Sequence, residues 1–309
     1  MKIIDAHVHL SPASALGRGE ERLGSRLERN GWRTTREGGF PAMPPYLTDS
    51  CFPAEALIAL MDACEVEAAV VQQTPLSPQN EETARAVERY PDRLSGAMLL
   101  EPREGWREEM EYWRGRGLRS VKLEMRSLTE QTMYPGLRYT ESRMLSLFAW
   151  AGELGLTVTI DPAPTNYGIY DPEGLRDAME ACPHTRFVLC HLAYPRPMDG
   201  PEGREKWERM AALAALPNCW LDVSAMPDFF GEEGWPYPTA LELLGRVRDR
   251  VGIRKLLWGS DIPGTLCSAA YPQMIEMFRR GDLTPAELEA LFCRNAPEAY
   301  TLPAGKGNA

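Results

Sequence analysis

Histidine is scarce in this chain, with four in 309 residues, and cation is in deficit: Lys and Arg number 34 against 44 Asp and Glu, a formal net charge of −10. A surface of that sign is repelled by phosphate, so neither nucleic acid nor an anionic membrane is expected as a partner. No apolar run approaches the ~18 residues a bilayer span needs, and the start has no basic flank leading to a cleavage site. Seven cysteines, at 51, 64, 182, 190, 219, 267 and 293, are odd in number, scattered and without a CxxC pair. That suits reduced thiols rather than a disulfide framework or a thiolate zinc site. No Gly-rich phosphate fingerprint follows any predicted strand, which leaves a nucleotide fold little support. The expectation is a soluble cytoplasmic protein with a small-molecule substrate. Its hydrophobic content of 44% can fill one large domain or two.

Two of the four histidines, His7 and His9, end the short apolar run that opens the chain. Side chains two apart on a strand share a face at a spacing of roughly 6.5–7 Å, so both imidazoles can turn toward one ion above the strand end. Taken alone the pair reads equally well as two solvent-facing histidines.

After an aperiodic stretch, residues 11–52, a regular rhythm begins. Apolar spacing predicts helices over 53–64, 77–90, 105–116, 141–154, 203–216 and 237–250, with another opened by Asp171-Pro172. Short apolar strands are predicted at 67–73, 93–100, 118–125, 155–161, 186–191, 218–224 and 254–260, and Thr284-Pro285-Ala286-Glu287 forms a capping box for a closing helix. Eight strands alternating with helices predict an α/β (β/α)8 TIM barrel over 1–302, ahead of an open doubly wound sheet, followed by a flexible tail at 303–309. Trp32, Phe40 and Tyr46 within 11–52 favour a packed lid over a free linker.

In such a barrel the chemistry lies at the C-terminal strand ends. The residues there are His7 and His9, Lys122 and Glu124, Asp161, His191 and Asp261, with Gln72, Asp222 and Ser224 weaker candidates. Bland readings stand beside them: Asp261 or Asp161 as a turn residue, His191 as a satisfied core histidine, Lys122 and Glu124 as a simple pair. His184 precedes its strand and belongs to the opposite face. Cys190, next to His191, has the opposite parity and is expected to point into the helix layer. Tyr167, Tyr170 and Trp235 in upper loops suggest a flat or partly apolar substrate.

The stretches Ile3 to Leu10, Phe187 to Leu192 and Leu257 to Pro263, supported by Ala56 to Asp62, Tyr90 to Gly96 and Asn295-Ala296, resemble the amidohydrolase superfamily. The similarity is greatest to the amidohydrolase-related branch that includes aminocarboxymuconate-semialdehyde decarboxylase, resorcylate-type decarboxylases and pyrone-dicarboxylate lactonase. The resemblance implies a distorted barrel with one divalent ion, usually zinc, bound through His7, His9 and Asp261, and His191 facing water or substrate. The family usually has a histidine at the end of strand 5, where this chain has Asp161. Asp161 as a ligand makes a harder, more anionic site that also suits Mn²⁺. The same departure is compatible with no metal, as in the lactonase branch.

On this basis Asp261 is expected as ligand and general base, His191 as acid–base or electrophilic group, and Lys122, Glu124 and Arg126 as substrate contacts. Hydrolysis of an amide, lactone or ester of a small anionic or aromatic compound is favoured. The alternatives are decarboxylation of an aromatic or enoic acid, a metal-free lactonase, and a barrel that only binds. A homodimer is also expected.

Overall fold

The computed structural model describes residues 2–129, 134–196 and 200–303; of the expected tail, all but Pro303 lies outside them. Eight strands, β1 (Ile3–Val8), β2 (Val66–Val71), β3 (Leu94–Leu99), β4 (Ser120–Glu124), β5 (Thr157–Asp161), β6 (Arg186–Leu189), β7 (Cys219–Asp222) and β8 (Leu256–Leu257), pair in chain order, all parallel. Parallel neighbours need a crossover, and α1 (Ala54–Ala63), α2 (Asn80–Arg89), α3 (Trp106–Gly115), α4 (Ser142–Glu153), α5 (Pro172–Ala181), α6 (Gly200–Ala211) and α7 (Pro238–Val251) supply one each, with α8 (Tyr271–Arg279) following β8. The sheet closes on itself: Ala6 N–H donates to Trp258 O at 2.9 Å, Asp261 N–H to His7 O at 2.8 Å and His9 N–H to Ile262 O at 2.7 Å. The architecture is the expected TIM barrel. The last strand is shorter than predicted because only Leu256 and Leu257 join the ladder with β7.

Strand alternation explains most inward-facing side chains, and β1 carries one exception. Between Asp5 and Val8 its register against β2 slips by a residue, a β-bulge. Ala6 consequently packs in the barrel interior with Val70, Val188, Trp220 and Leu257, while His7 also turns inward to meet Asp222 of β7. Re-aiming one side chain is the common effect of such a bulge.

The interior is plugged at the N-terminal end by the segment after the last helical turn. Ala299 and Tyr300 join the interior cluster. The Tyr300 hydroxyl lies 2.8 Å from Thr159 Oγ1 and accepts from Gln72 Nε2 at 3.1 Å. The predicted capping box is present, Thr284 Oγ1 accepting from Glu287 N–H and Glu287 from Thr284 N–H. Helix Pro285–Glu289 then passes into a π-turn, Ala290–Arg294, where the Leu291 carbonyl accepts from Trp258 N–H at 3.0 Å.

Residues 11–52 form a structured cover. A three-stranded antiparallel sheet, Arg26–Leu27, Trp32–Thr35 and Gly38–Pro41, stands on a small core of Ala15, Leu27 and Met43. An antiparallel bridge between Ser11 and Phe52 ties its two ends. Gly31 is required there: it has φ +70°, and a Cβ would lie 1.9 Å from Met43 O.

Tyr300→Phe removes one hydroxyl and leaves two buried polar groups of the interior short of a partner. We expect a loss of about 1–3 kcal/mol in urea unfolding, with metal binding unchanged.

Candidate active site

Asp222, at the end of β7, is buried and receives four donors. Its Oδ1 accepts from His191 N–H at 2.9 Å, from Ser224 N–H at 3.2 Å and from the Ser224 hydroxyl; its Oδ2 accepts from His7 Nδ1–H at 3.0 Å. Burial opposes ionisation, but His7, His191 and Ser224 outweigh it and hold the carboxyl well below the usual range. These bonds also settle two tautomers. His7 carries a proton on Nδ1, so its Nε2 is a bare lone pair; burial pushes its pKa down to about 4, keeping the ring neutral. The Ser224 proton goes to Asp222, so Ser224 Oγ accepts from His191 Nδ1–H at 2.8 Å.

The His7 lone pair points at His9 and Asp261. His7 Nε2 lies 3.2 Å from His9 Nε2 and 3.5 Å from Asp261 Oδ1, and His9 Nε2 lies 3.0 Å from Asp261 Oδ1. Atoms held around one tetrahedral cation at zinc–ligand distances lie roughly 3.3–3.5 Å apart. The triangle therefore fits one ion. Burial disfavours the Asp261 carboxylate, yet His9, His191 and His7 hold its pKa well below normal. A lone pair and a carboxylate converging on one place call for a positive charge between them. The Asp222 contact to His7 is the usual second partner of a ligating imidazole. Gly259 allows this closeness, since a Cβ there would lie 2.9 Å from His7 Cβ and 3.1 Å from Ser224 Cβ.

His191 approaches from a strained turn. Residues His191, Leu192, Ala193 and Tyr194 all have positive φ, 57°, 50°, 58° and 70°, in a region costing about 1–2 kcal/mol per residue. Hydrogen bonds hold the turn: Asp222 takes the His191 N–H, Trp207 Nε1–H donates to Leu192 O at 2.8 Å and Tyr170 O–H to Ala193 O at 2.7 Å. The turn sets the His191 ring 4.8 Å from that of His7, centroid to centroid, and its Nε2 3.6 Å from Asp161 Oδ2. Burial works against the imidazolium, but Asp161, Asp261 and Asp222 push its pKa up to about 9.

This turn corrects the expectation for Cys190. β6 ends at Leu189, so Cys190 continues the inward parity of Val188 while His191 leaves the strand. Cys190 Sγ accepts from Lys122 Nζ at 3.5 Å, deep in the barrel. Within it His7, Cys190 and His191 also cluster. Burial keeps that thiol well above its ordinary pKa, and the Lys122 ammonium beside it repels a cation, so this group is the poorer metal site.

The other predicted residues are placed as follows. Asp161 belongs to neither ligand cluster among the described residues and pairs with His191, its Oδ1 accepting from Ala163 N–H at 3.0 Å. Lys122 is 2% exposed; burial opposes its charge, but Cys190, Asp161, Glu124 and Asp222 raise its pKa. Glu124 accepts from Ser127 Oγ at 2.6 Å and Thr74 Oγ1 at 3.2 Å. Arg126 is ion-paired with Glu37 of the lid and its guanidinium lies 5.1 Å from the Tyr167 ring centre. Tyr170 is buried under the strained turn and Trp235 is 40% exposed, so neither offers a flat wall to the cleft over His9 and Asp261.

That cleft, of about 470 Å³, lies between barrel and lid and is lined by His9, Asp261, Ser11, Arg33, Phe40 and Gln79 among others. A second, of about 450 Å³, lies beyond the lid strand Gly38–Pro41 against Glu124 and Arg126.

A family model described as amidohydrolase matches residues 4–302. The chain belongs to the amidohydrolase family. Solved structures share the fold across almost their whole length. An amidohydrolase from Burkholderia multivorans with bound zinc is 19% identical, covering 98% of this chain and 100% of that one at a TM-score of 0.72. A probable 2-pyrone-4,6-dicarboxylic acid hydrolase from Acinetobacter baumannii with citric acid bound is 18% identical, 97% and 99% covered, with a TM-score of 0.73. A 5-carboxyvanillate decarboxylase from Sphingomonas paucimobilis is 14% identical, 97% and 98% covered, with a TM-score of 0.63. No curated protein sequence matches.

In this amidohydrolase the sequence signal was weakest for the group that organises the site. Asp222 and Ser224, two apart at a strand end, were legible by alternation but carried no metal motif. Asp5, buried behind β1, accepts from Tyr271 O–H at 2.8 Å, Ser260 N–H at 2.9 Å and His7 N–H at 3.1 Å.

Asp222→Asn leaves the shape but weakens the grip on both histidines. We expect zinc affinity to fall roughly 10- to 100-fold in competition with a chromophoric chelator, in a protein that remains folded by circular dichroism.

Proposed function

We propose that this amidohydrolase is a metal-assisted hydrolase of a lactone, ester or amide in a small anionic molecule. The observation that carries the reading is the convergence of His7 Nε2, His9 Nε2 and Asp261 Oδ1 within 3.0–3.5 Å of one another at the cleft floor. A divalent cation held there, zinc by the nitrogen-rich donor set or manganese, would supply a water with a pKa near ~7 and a Lewis acid for a carbonyl. Asp261 lines the same cleft as a carboxylate and takes up the proton of the attacking water. His191, cationic beside Asp161, donates a proton or hydrogen bond to the oxygen on which charge develops. Asp161 serves in this reading as the counter-ion of His191.

Decarboxylation is the second reading, favoured by the same cationic His191, which could instead protonate a carbon from which CO₂ departs. A metal-free lactonase and a non-catalytic binding barrel predict no bound metal. Elemental analysis of purified protein separates these from the first two: about one ion per chain in the wild type and near none in His7→Ala is the expected result. A panel of lactones, esters, amides and carboxylic acids, followed by proton release and CO₂ release in parallel, divides hydrolase from decarboxylase.

The pairing of Asp161 with His191 also has a pH signature. His191 is the proton donor while charged, so kcat/KM should fall as pH rises through about 9. Asp161→Asn removes an anion that raises that pKa, so the alkaline limb should move to lower pH. A limb that stays in place excludes His191 as the titrating acid.

A further inference from the structure

We infer that Arg33 of the lid is the carboxylate anchor of the catalytic cleft, so the anionic group of the substrate docks on the lid. The inference rests on the hydrolase reading only for the bond to be cleaved. Arg33 sits on the strand Trp32–Thr35, where alternation turns Trp32 outward and Arg33 inward; the two are 44% and 5% exposed. Both protons of Nη1 are used, toward Ser25 Oγ at 2.8 Å and Leu76 O at 3.0 Å. Its Nε and Nη2 have no hydrogen-bond partner among the described residues, and no carboxylate there forms an ion pair with it. These two nitrogens form one planar edge of the guanidinium, the fork that binds a carboxylate through two parallel hydrogen bonds. Burying a cation with no anion in direct contact is costly, and the cost is recovered when a counter-ion arrives with the ligand. Burial lowers the pKa to about 10 against the opposing field of the Glu124 carboxylate, which makes no ion pair with it, and the group stays charged at neutral pH.

The surroundings single Arg33 out. It lines the same cleft as His9 and Asp261. Lys122 is sealed beneath the site against Cys190, and Arg126 is taken by Glu37. The cleft of about 470 Å³ suits a ligand the size of a single ring or a short chain. The substrate class is therefore a small carboxylate whose scissile carbonyl lies toward the barrel while its carboxylate points to the lid.

Benzoate and the uncharged benzamide are suitable probes, titrated calorimetrically into full-length protein, both metal-stripped and zinc-loaded. The wild type should bind benzoate in preference to benzamide in either form. Arg33→Met, which keeps much of the bulk, should weaken benzoate roughly 10- to 100-fold, as expected for losing a charge-assisted pair, and leave benzamide unchanged. Ser25→Ala disturbs the same piece of lid but spares the free edge, so it should keep most of the benzoate affinity. The assignment is overturned by wild-type-like benzoate binding in Arg33→Met, by equal losses of both probes, by a Ser25→Ala loss as large as that of Arg33→Met, or by no saturable benzoate binding to the wild type. Zinc stoichiometry is read separately. Failure to load either zinc or manganese would defeat the hydrolase reading, while the metal-free titration would still judge Arg33.

Discussion

One buried carboxylate organises this site. Asp222 accepts hydrogen bonds from the His7 ring, from the backbone N–H that begins the left-handed turn at His191, and from both donors of Ser224, whose hydroxyl oxygen in turn accepts from the His191 ring. An ionised carboxylate in a barrel interior is tolerable only with its lone pairs filled, and here each filling bond also aims a functional group. Neutral His7 and cationic His191 thus stand side by side, their rings 4.8 Å apart, with pKa values pushed in opposite directions. Burial outweighs the Asp222 and Asp261 carboxylates at His7, with the Lys122 ammonium adding to it, whereas at His191 the carboxylates Asp161, Asp261 and Asp222 outweigh burial. In the proposed function, opposed environments of this kind divide ligand from acid between two identical side chains.

The barrel was readable because its strands are covered on both faces by helices, which leaves short apolar runs separated at regular intervals. His7, His9 and Asp261 were readable because of the rule for the C-terminal ends of barrel strands, although His7 sits in the bulged stretch of β1 and Asp261 beyond the last ladder residue, Leu257. Cys190 was misassigned in facing because the ladder stops at Leu189 and four left-handed residues follow, a turn that alternation cannot anticipate and that also brings His191 to the site. The bulge in β1 escaped for the same reason: a slip between Asp5 and Val8 depends on the partner strand and leaves no mark in composition. Arg126 looked like a free cation until a lid glutamate, 89 residues earlier in the chain, was brought to it by folding.

The last lid strand, Gly38–Pro41, stands between two clefts, and its Phe40 lines both, as does Leu76 from the loop after β2. One side presents His9, Asp261 and Arg33; the other presents Glu124 and Arg126. On an acidic molecule this gives the cleft over His9 and Asp261 a positive element of its own, distinct from the average surface field.

Closure of the ring has a temporal corollary. The donors that face one another across the seam come from residue 7 and residue 261, and the backbone bonds joining those strands are among the longest-range in the chain. While the polypeptide is still emerging from a ribosome, the early imidazoles have no carboxylate opposite them and no floor beneath them. In the proposed function the three ligating groups, His7, His9 and Asp261, therefore meet only once the final strand has docked against the first.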